Sequence, residues 1–331
     1  MDARDRLVRD ACSGGLTLVL GAGVSGACNV ATWRELAQRL WQEAFGEELP
    51  AVADDPRFYP FVLEHVQAKL RDSFPVRLKA TLYGDSRLPS REQLLRSRSN
   101  TLAVVARVVA REALESKRHI TRVITLNVDD LLERAVAQIL GAQSGALPIV
   151  PIVRGTLTSP PSGPSAALPI YHLHGYLRSS HEHWAPEGAQ DAPDVLVFTD
   201  LQYWASAAIP SSHMNRTFSF ALHDSHCIFI GTSMLDLNIW RWLAVRTFEI
   251  ATDCNTQCRA GGDDAGEDVD ALYRRSLQRH YWITTDRRQS NEFLSRCLAL
   301  RGVDTVHIRS WEDESLQELM DHCFPEAKGA R

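Results

Sequence analysis

Leu16–Ser25 reads LTLVLGAGVS, a strand-forming run that ends in a glycine-rich turn. Short apolar runs rich in leucine and valine are typical of buried strands in a parallel sheet. Gly21, Gly23 and Gly26 fit the G-x-G-x-x-G spacing, in which glycines allow the backbone to approach a phosphate group closely. The spacing by itself is also compatible with an ordinary tight turn between a strand and a helix.

The segment after this turn has the pattern of an amphipathic helix. Ala31–Phe45 carries apolar residues at helical spacing, and Thr32 is followed three residues later by Glu35. A threonine and a glutamate at this spacing form a capping box at a helix N-terminus. Strand, glycine turn and helix in this order predict the opening of a nucleotide-binding α/β fold.

Strand and helix patterns alternate along much of the remaining chain, which predicts a Rossmann-like, doubly wound and mostly parallel sheet. The further predicted strands are Arg122–Leu126, Pro148–Val153, Ile170–Leu173, Val195–Thr199, His226–Ile230, Tyr281–Thr285 and Val303–Ile308. The further predicted helices are Asp129–Leu140, Leu201–Ser206, Ser211–His223, Leu235–Phe248, Ser290–Leu300 and Glu312–His322.

Residues 49–118 interrupt this alternation, because they contain helical periodicity and no clear strand. Helices are predicted at Phe61–Arg71 and Glu92–Glu115. We therefore expect a Rossmann-like domain made of residues 1–48 and 119–331, with a helical module inserted at 49–118. Thr158–Pro169, rich in serine and proline, and Cys254–Asp270, rich in glycine and aspartate, are predicted to be loops.

Thr125–Glu133, TLNVDDLLE, lies where a predicted strand meets a helix. Ligands bind at this carboxyl edge in open α/β sheets. The amide of Asn127 can both donate and accept hydrogen bonds, which suits a sugar hydroxyl or a positioned water. The alternative is that Asn127, Asp129 and Asp130 only cap the following helix.

Ile170–Leu177, IYHLHGYL, places two histidines at a strand end. Strand alternation predicts His172 and His174 on one face of the sheet. An imidazole such as that of His174 titrates near neutral pH and can take a proton from a hydroxyl or a water. A metal site formed by both histidines would need a third ligand, which the sequence does not identify, so His172 is interpreted as a structural, hydrogen-bonded histidine.

Ile230–Asn238, IGTSMLDLN, is the third segment in which a strand ends in polar or small residues. Gly231, Thr232 and Ser233 are placed to contact a sugar or a phosphate. Asp236 and Asn238 are suited to cap the next helix or to hold its loop.

Composition excludes several classes of protein. The net charge of −5 gives no general attraction to nucleic acid, so direct nucleic-acid binding is not expected. No run of about 18 apolar residues occurs, so no membrane span is expected. The N-terminus lacks the apolar core of a secretory signal, and the odd number of scattered cysteines, seven, argues against a disulfide framework. A cytoplasmic location is therefore expected.

The chain resembles the sirtuin family in the order of four motifs: GAGVS, T-x-N-x-D, H-G at a strand end, and G-T-S. The resemblance covers about residues 14–245, without the helical insertion. The chain is more similar to the bacterial sirtuin-like branch found in anti-phage defence. Its segments NVDDLLE, IYHLHG and FIGTSMLDLN resemble the corresponding motifs of that branch. FTDLQYW at Phe198–Trp204 also resembles a short helix start in that branch.

This resemblance implies NAD⁺ as the substrate and a role for each motif. Asn127 and Asp129 would hold the nicotinamide-side ribose, and His174 would act as the general base, so these three residues are the implied catalytic set. Residues implied to contact the rest of NAD⁺ are Gly21, Ala22, Gly23 and Ser25 at the diphosphate and ribose, Gly231, Thr232 and Ser233 at the adenosine side, and Trp33 at an aromatic position of the branch.

One departure from the deacylating sirtuins bears on the activity. Those enzymes carry a zinc module with two cysteine pairs, whereas residues 49–118 contain no cysteine and only Cys227 lies between the H-G and G-T-S motifs. We therefore expect no zinc and predict an NAD⁺ hydrolase that releases nicotinamide and ADP-ribose. The alternatives are an NAD-dependent deacylase or ADP-ribosyltransferase, and a non-catalytic module that binds NAD⁺ or ADP-ribose.

An enzyme that depletes NAD⁺ would kill its host unless its activity were controlled. The resemblance to defence proteins therefore implies an antiviral effector that acts by abortive infection. We expect control by homo-oligomerisation or by a separate protein, for instance a hexameric ATPase or an Argonaute-like protein.

Overall fold

A computed structural model of the protein describes residues 2–55, 57–141, 147–153, 167–179, 196–260, 269–277, 280–285 and 289–325. Seven parallel strands form one sheet in the order β3-β4-β2-β1-β5-β6-β7. The strands are β1 (Leu16–Leu20), β2 (Ile120–Thr125), β3 (Ile149–Ile152), β4 (Leu168–His172), β5 (His226–Ile230), β6 (His280–Thr284) and β7 (Val303–His307).

Helices cover the sheet and connect most of its strands; residues 154–166, between β3 and β4, lie outside the described ranges. They are α1 (Ala3–Ser13), α2 (Trp33–Phe45), α3 (Tyr59–Leu70), α4 (Phe74–Tyr83), α5 (Arg91–Arg96), α6 (Thr101–Leu114), α7 (Leu131–Leu140), α8 (Asp200–Ala208), α9 (His213–Asp224), α10 (Leu237–Ala260), α11 (Val269–Leu277), α12 (Gln289–Ala299) and α13 (Ser315–Cys323). A parallel sheet with helices on both faces confirms the predicted α/β, Rossmann-like fold.

Both faces of the sheet are buried, as a parallel sheet requires. Leu16, Leu18 and Leu20 of β1 belong to a core that also contains residues of α1, α6, α7 and α13. The opposite face, which includes Val19 and Phe229, packs against α9, α10 and α12. The central strand is therefore enclosed on two sides, and its carboxyl end is the part open to a ligand.

The described residues between β1 and β2 form helices joined by turns and contain no strand. A separate apolar cluster joins α2, α3 and α4 to the ends of the strands; its members include Leu36, Leu40, Leu63, Val66, Phe74, Leu78, Leu82, Val128, Leu177 and Phe198. In contrast, α6 packs on α7 and contributes to the core beneath the sheet. The proposed domain boundaries at residues 49 and 118 stay a prediction.

Several predicted elements need correction. The strand predicted at Val195–Thr199 is absent from residues 196–199, because the amides of Phe198 and Thr199 donate to Gln202 Oε1 at the start of α8 instead of to a neighbouring strand. The helix predicted at Glu92–Glu115 is divided in two, since Asn100 caps α6 through the amide of Ala103 at 2.9 Å.

Two predicted loops also differ. The loop expected at Cys254–Asp270 is helical from Cys254 to Ala260 and again from Val269. Helix α10 continues past Cys254 because its sequence contains no glycine or proline that would end it. Residues 261–268 lie outside the described ranges. Of the loop expected at Thr158–Pro169, residues 158–166 lie outside them, and Leu168 and Pro169 belong to β4. Pro169 precedes the part of β4 that pairs with β2, which begins at Ile170. Its lack of an N–H group therefore removes no hydrogen bond between β4 and β2.

In the described part of the chain, no helix is both long enough and apolar enough to cross a membrane.

Candidate functional site

Two glycine turns pack directly against each other at the carboxyl ends of β1 and β5. A Cβ atom on Gly21 would lie 2.6 Å from the carbonyl oxygen of Gly231, and one on Gly23 would lie 2.9 Å from the Cα of Gly231. Gly231 has a φ of +66°, and a Cβ there would lie 2.7 Å from the amide nitrogen of Val24. Contacts this short are sterically excluded, so the two turns require glycine at all three positions.

The amides of the first turn are partly used within the protein. The Gly21 amide donates to the Ile230 carbonyl at 3.0 Å, and the Gly23 amide donates to the Gly231 carbonyl at 2.9 Å. The predicted contact of Gly21 and Gly23 with the diphosphate of NAD⁺ therefore cannot use these two N–H groups without breaking bonds to β5. Their contact with a ligand stays a prediction.

The turn leads into α2 less directly than the sequence suggests. A short 3₁₀ turn, Gly26–Cys28, follows it, and α2 begins only at Trp33. The predicted capping box is present, because Thr32 Oγ1 accepts from the Glu35 amide and Glu35 Oε2 accepts from the Thr32 amide. This capping fixes Trp33 in the first turn of α2, beside the glycine turn.

An open pocket lies between the glycine turn, the end of β2 and helices α2 and α4. Its lining residues are Ala22, Ser25, Gly26, Val30, Ala31, Thr32, Trp33, Leu36, Leu82, Leu126, Asn127, Val128, Asp129, His174 and Phe198. The structure thus brings together six of the residues that the resemblance assigned to catalysis or to NAD⁺ contact: Ala22, Ser25, Trp33, Asn127, Asp129 and His174. The lining does not include Gly21, Gly23, Gly231, Thr232 or Ser233.

Asn127, Ser25 and Asp129 form one hydrogen-bonded group beneath the turn. The Asn127 side-chain amide donates to the Gly21 carbonyl at 3.1 Å and to Ser25 Oγ at 3.2 Å. Ser25 Oγ lies 2.9 and 3.1 Å from the two carboxylate oxygens of Asp129. Because Asn127 Nδ2 is occupied, the group that Asn127 can offer a ligand is its carbonyl oxygen Oδ1, an acceptor.

Asp129 combines a capping role with an unusual electrostatic environment. Its Oδ1 accepts from the Leu131 amide at 3.1 Å, so the helix-capping interpretation of this residue is realised. Burial raises the pKa of Asp129 to about 6, although the hydrogen bonds from Ser25 and Leu131 act in the opposite direction. The carboxylate is therefore mostly ionised above that pH while it lies at a pocket wall.

His172 holds Asn127 from behind. Its Nε2 lies 2.6 Å from Glu133 Oε1 of α7, and its Nδ1 lies 3.2 Å from the backbone carbonyl of Asn127. Burial disfavours the charged imidazole, but the carboxylate of Glu133 outweighs it and raises the pKa of His172. The interpretation of His172 as a structural histidine agrees with these contacts.

His174 has a different environment, so the prediction that both histidines share one face is wrong. Strand β4 ends at His172, and Gly175 has a φ of +98°, so the alternation does not extend to His174. His174 is buried, and its ring forms a hydrogen bond with the backbone of Leu126, whereas its Nε2 has no hydrogen-bond partner among the described residues. Burial lowers the pKa of His174, so the imidazole is neutral near pH 7 and able to accept a proton.

The turn after β5 contains a strained residue and an exposed one, and its predicted site residues do not line the pocket. Met234 has a φ of +55°, a conformation that costs a non-glycine residue free energy. It is held there because its side chain is buried and its carbonyl accepts from the Trp240 indole at 2.8 Å. The carbonyl of Thr232 accepts from the Trp282 indole at 3.0 Å, and Ser233 is exposed.

An apolar wall completes the pocket. The rings of Trp33 and Phe198 are 5.1 Å apart, and Leu82 of α4 lines the same space. The Tyr83 hydroxyl joins α4 to this region, since it lies 2.6 Å from the Leu177 carbonyl and accepts from the Asp130 amide at 3.0 Å. Sequence reasoning missed Leu82 as a pocket residue; the signal available was the helical spacing of apolar residues in α4.

In the ranges that the structure describes, no group of three or more histidine, cysteine, aspartate or glutamate residues is arranged to hold a metal ion. The expectation that the protein uses no zinc stays a prediction.

Comparison with known proteins gives one family match. Residues 121–249 match the model of the SIR2-like domain. The match spans β2 to α10 and so includes Asn127, Asp129 and His174, whereas the glycine turn of β1 lies before it. No curated protein matches the chain significantly.

The match supports a relationship to the sirtuin-like family. SIR2-like domains are NAD-dependent enzymes, so it also indicates a function related to NAD⁺.

Proposed function

We propose that the protein cleaves NAD⁺ at the bond between nicotinamide and ribose, with water as the acceptor. The observation that carries this proposal is the presence of Asn127 Oδ1 and the buried, neutral imidazole of His174 in one pocket beside the glycine turn. The products are ADP-ribose, nicotinamide and one proton.

The chemistry requires a site that stabilises positive charge at the ribose. When the glycosidic bond breaks, its electron pair moves to the nicotinamide nitrogen and leaves an oxocarbenium-like carbon. Asp129 supplies a fixed negative charge near this position, and its effect is large because the surroundings are buried. Water then attacks this carbon, and the proton that it loses is accepted by His174.

Asn127 supplies an acceptor with a fixed position. Its Nδ2 is tied to Gly21 and Ser25, and its backbone carbonyl is held by His172, so Oδ1 has little freedom to move. An acceptor in this position suits a ribose hydroxyl or the attacking water. Positioning of this kind contributes to rate without any movement of the protein during the reaction.

The direct test follows nicotinamide release from NAD⁺ by chromatography, with the purified protein alone and with the products of its neighbouring genes. Asn127→Ala and His174→Ala are expected to lower turnover by about 100-fold or more. Matched controls are Asn255→Ala on α10 and His223→Ala on α9, both exposed, which are expected to keep wild-type turnover. Full turnover in either site variant would contradict the assignment.

The same assay separates the alternative activities. A deacylase or ADP-ribosyltransferase consumes NAD⁺ only when an acylated or nucleophilic protein acceptor is supplied, whereas a hydrolase releases free ADP-ribose without one. Binding of NAD⁺ with no turnover under every condition would indicate a binding module.

We further propose that this activity serves antiviral defence through NAD⁺ depletion and is controlled by homo-oligomerisation or by a partner such as a hexameric ATPase or an Argonaute-like protein. The support is the motif order of the sequence. The test measures cellular NAD⁺ after phage infection in cells that carry the wild-type protein or His174→Ala, together with the neighbouring genes. Equal NAD⁺ levels in both would contradict a role as a depleting effector.

A further inference from the structure

The buried imidazole of His174 faces a carboxylate from a distant part of the chain. Asp236, in the turn between β5 and α10, places Oδ2 at 3.8 Å from His174 Nε2. The side chains of His174 and Asp236 are 4% and 17% exposed. The pair is thus largely shielded from water, and the interaction between charges there is stronger than at the surface.

Asp236 is held in this position by two groups. Its Oδ1 accepts from the backbone amide of Asn238 at 2.7 Å, and its carboxylate also accepts from the Tyr203 hydroxyl. Tyr203 belongs to α8, and its ring centroid lies 5.5 Å from that of His174. The tyrosine therefore contacts both members of the pair, and it fixes the carboxylate relative to the imidazole.

The geometry fits a partner of the protonated imidazole rather than of the neutral one. A separation of 3.8 Å is too long for a hydrogen bond. In the neutral ring, Nδ1 carries the proton and forms the bond to the backbone of Leu126, so Nε2 carries only a lone pair. A carboxylate does not attract this lone pair. Once Nε2 has taken a proton, the same carboxylate faces a positive charge at short range.

We propose that Asp236 is a positioning residue that stabilises His174 in its protonated state, with Tyr203 holding Asp236 in place. This inference deepens the proposed function and rests on it where turnover is concerned. An interaction that strengthens only after proton transfer accelerates the reaction instead of tightening substrate binding. The titratable groups in contact with His174 in the described chain are Asp236 and Tyr203, and Asp129 shares its pocket. Arg241 of α10 interacts electrostatically with Asp236.

The principal test is Asp236→Asn, which keeps the size of the side chain and an acceptor for Asn238 while removing the charge. We expect kcat for nicotinamide release to fall by about 10–100-fold with little change in KM. Because the carboxylate opposes the effect of burial on the pKa of His174, the acidic limb of the kcat profile is expected to move to lower pH. Tyr203→Phe is expected to act in the same direction and by a smaller factor.

Two further variants separate an electrostatic role from a merely structural one. Asp236→Glu keeps the charge, so the acidic limb should return toward its wild-type position even if kcat recovers only in part. Asp200→Asn on α8 removes a carboxylate that bonds to the Trp204 indole, and it is expected to change neither kcat nor the profile.

A second measurement does not depend on turnover. The titration of His174 is followed by NMR of the imidazole in the whole protein without substrate, with His174→Gln used to assign the signal. The imidazole is expected to lose its proton at lower pH in Asp236→Asn than in the wild type. If the protein cleaves no NAD⁺ yet this shift is observed, the proposed function fails and the pairing of His174 with Asp236 stands.

The inference is overturned if NMR shows the same titration of His174 in the wild type and in Asp236→Asn. It is equally overturned if NAD⁺ is cleaved and Asp236→Asn keeps both kcat and the acidic limb, in which case the proposed function stands. Circular dichroism establishes that each variant is folded, and Tyr203→Phe carries the test if Asp236→Asn is not.

Discussion

Replacing Gly231 with alanine tests how closely the two glycine turns pack. The new Cβ would lie 2.7 Å from the Val24 amide nitrogen and 2.9 Å from the Gly23 carbonyl carbon, both of which are backbone atoms. Backbone cannot rotate away as a flexible side chain can, so one turn must move. The residue would also have to keep a φ of +66°, which disfavours a side chain.

These two effects set the expected size of the loss. A left-handed conformation costs an alanine about 1–2 kcal/mol. Forcing an additional carbon into a packed region costs about 1–3 kcal/mol. Together they predict a loss of about 2–5 kcal/mol, which is a large part of the roughly 5–15 kcal/mol by which native proteins are stable.

The two effects can be measured separately with two other glycines. Gly15 has a φ of +75° but has open space where its Cβ would lie, so Gly15→Ala carries only the conformational cost of about 1–2 kcal/mol. Gly26 has neither a positive φ nor a neighbour within 4 Å, so Gly26→Ala is expected to stay within about 1 kcal/mol of the wild type. The free energy of unfolding is measured for all three variants by urea denaturation, followed by tryptophan fluorescence and circular dichroism.

The comparison between Gly231→Ala and Gly15→Ala shows whether the two glycine turns are in close contact in solution. A larger loss in Gly231→Ala measures the close approach of the turns. If the two variants lose the same stability, the turns are not in contact in solution, and the explanation given for Gly21, Gly23 and Gly231 is refuted.

Two further predictions concern residues around the pocket. Glu133→Gln leaves His172 buried without its carboxylate and is expected to lower the free energy of unfolding by about 3–5 kcal/mol. Because Glu133 raises the pKa of His172 in the folded protein, this loss of stability should be greatest below the ordinary histidine pKa and should diminish as pH rises. Urea denaturation at a series of pH values measures it. Trp33→Ala removes one ring of the pair with Phe198 and is expected to weaken NAD⁺ binding by about 10-fold in calorimetry, whereas Trp204→Ala, at an exposed position on α8, is expected to leave it unchanged.

For each of these two predictions, one outcome would contradict the reasoning. A loss of stability in Glu133→Gln that is the same at every pH would show that His172 does not carry charge in the folded protein. Equal NAD⁺ affinity in Trp33→Ala and the wild type would show that the aromatic wall does not contact the ligand.

Local patterns were sufficient for the elements that carry the candidate catalytic residues. The run before Gly21, the capping box at Thr32 and the segments that follow β2 and β4, with Asn127 and His174, are each encoded within about ten residues. Because parallel strands present their carboxyl ends at one edge of the sheet, placing these motifs at strand ends also predicted that they would meet.

Contacts between distant segments were beyond such reasoning. Ser25 bonds to Asp129 across 104 residues. Asp236 does bond to the backbone amide of Asn238 at the start of α10, as its interpretation as a helix cap predicts, but its proximity to His174 arises only in the folded chain. Nothing local in the sequence indicates that Phe198 would line the pocket.

Other omissions had a signal that was available. In α4, Phe74, Leu78 and Leu82 recur every four residues and are all buried, which is the periodicity of a helix face. In α1, Leu7 and Ala11 have the same spacing and are buried, although the surrounding residues are strongly charged. Single apolar residues at helical spacing deserve weight even where a segment is polar on average.

The pairing of β1 with β5 has a consequence for the protein while it is being synthesised. Leu16 pairs with His226, so the glycine turn after β1 leaves the ribosome long before the strand and turn that it packs against. An unfinished chain accordingly has no partner for Gly21 and no carboxylate to face His174. The two glycine turns can pack together only after Gly231 has emerged, so the carboxyl end of β1 takes its final surroundings late in synthesis.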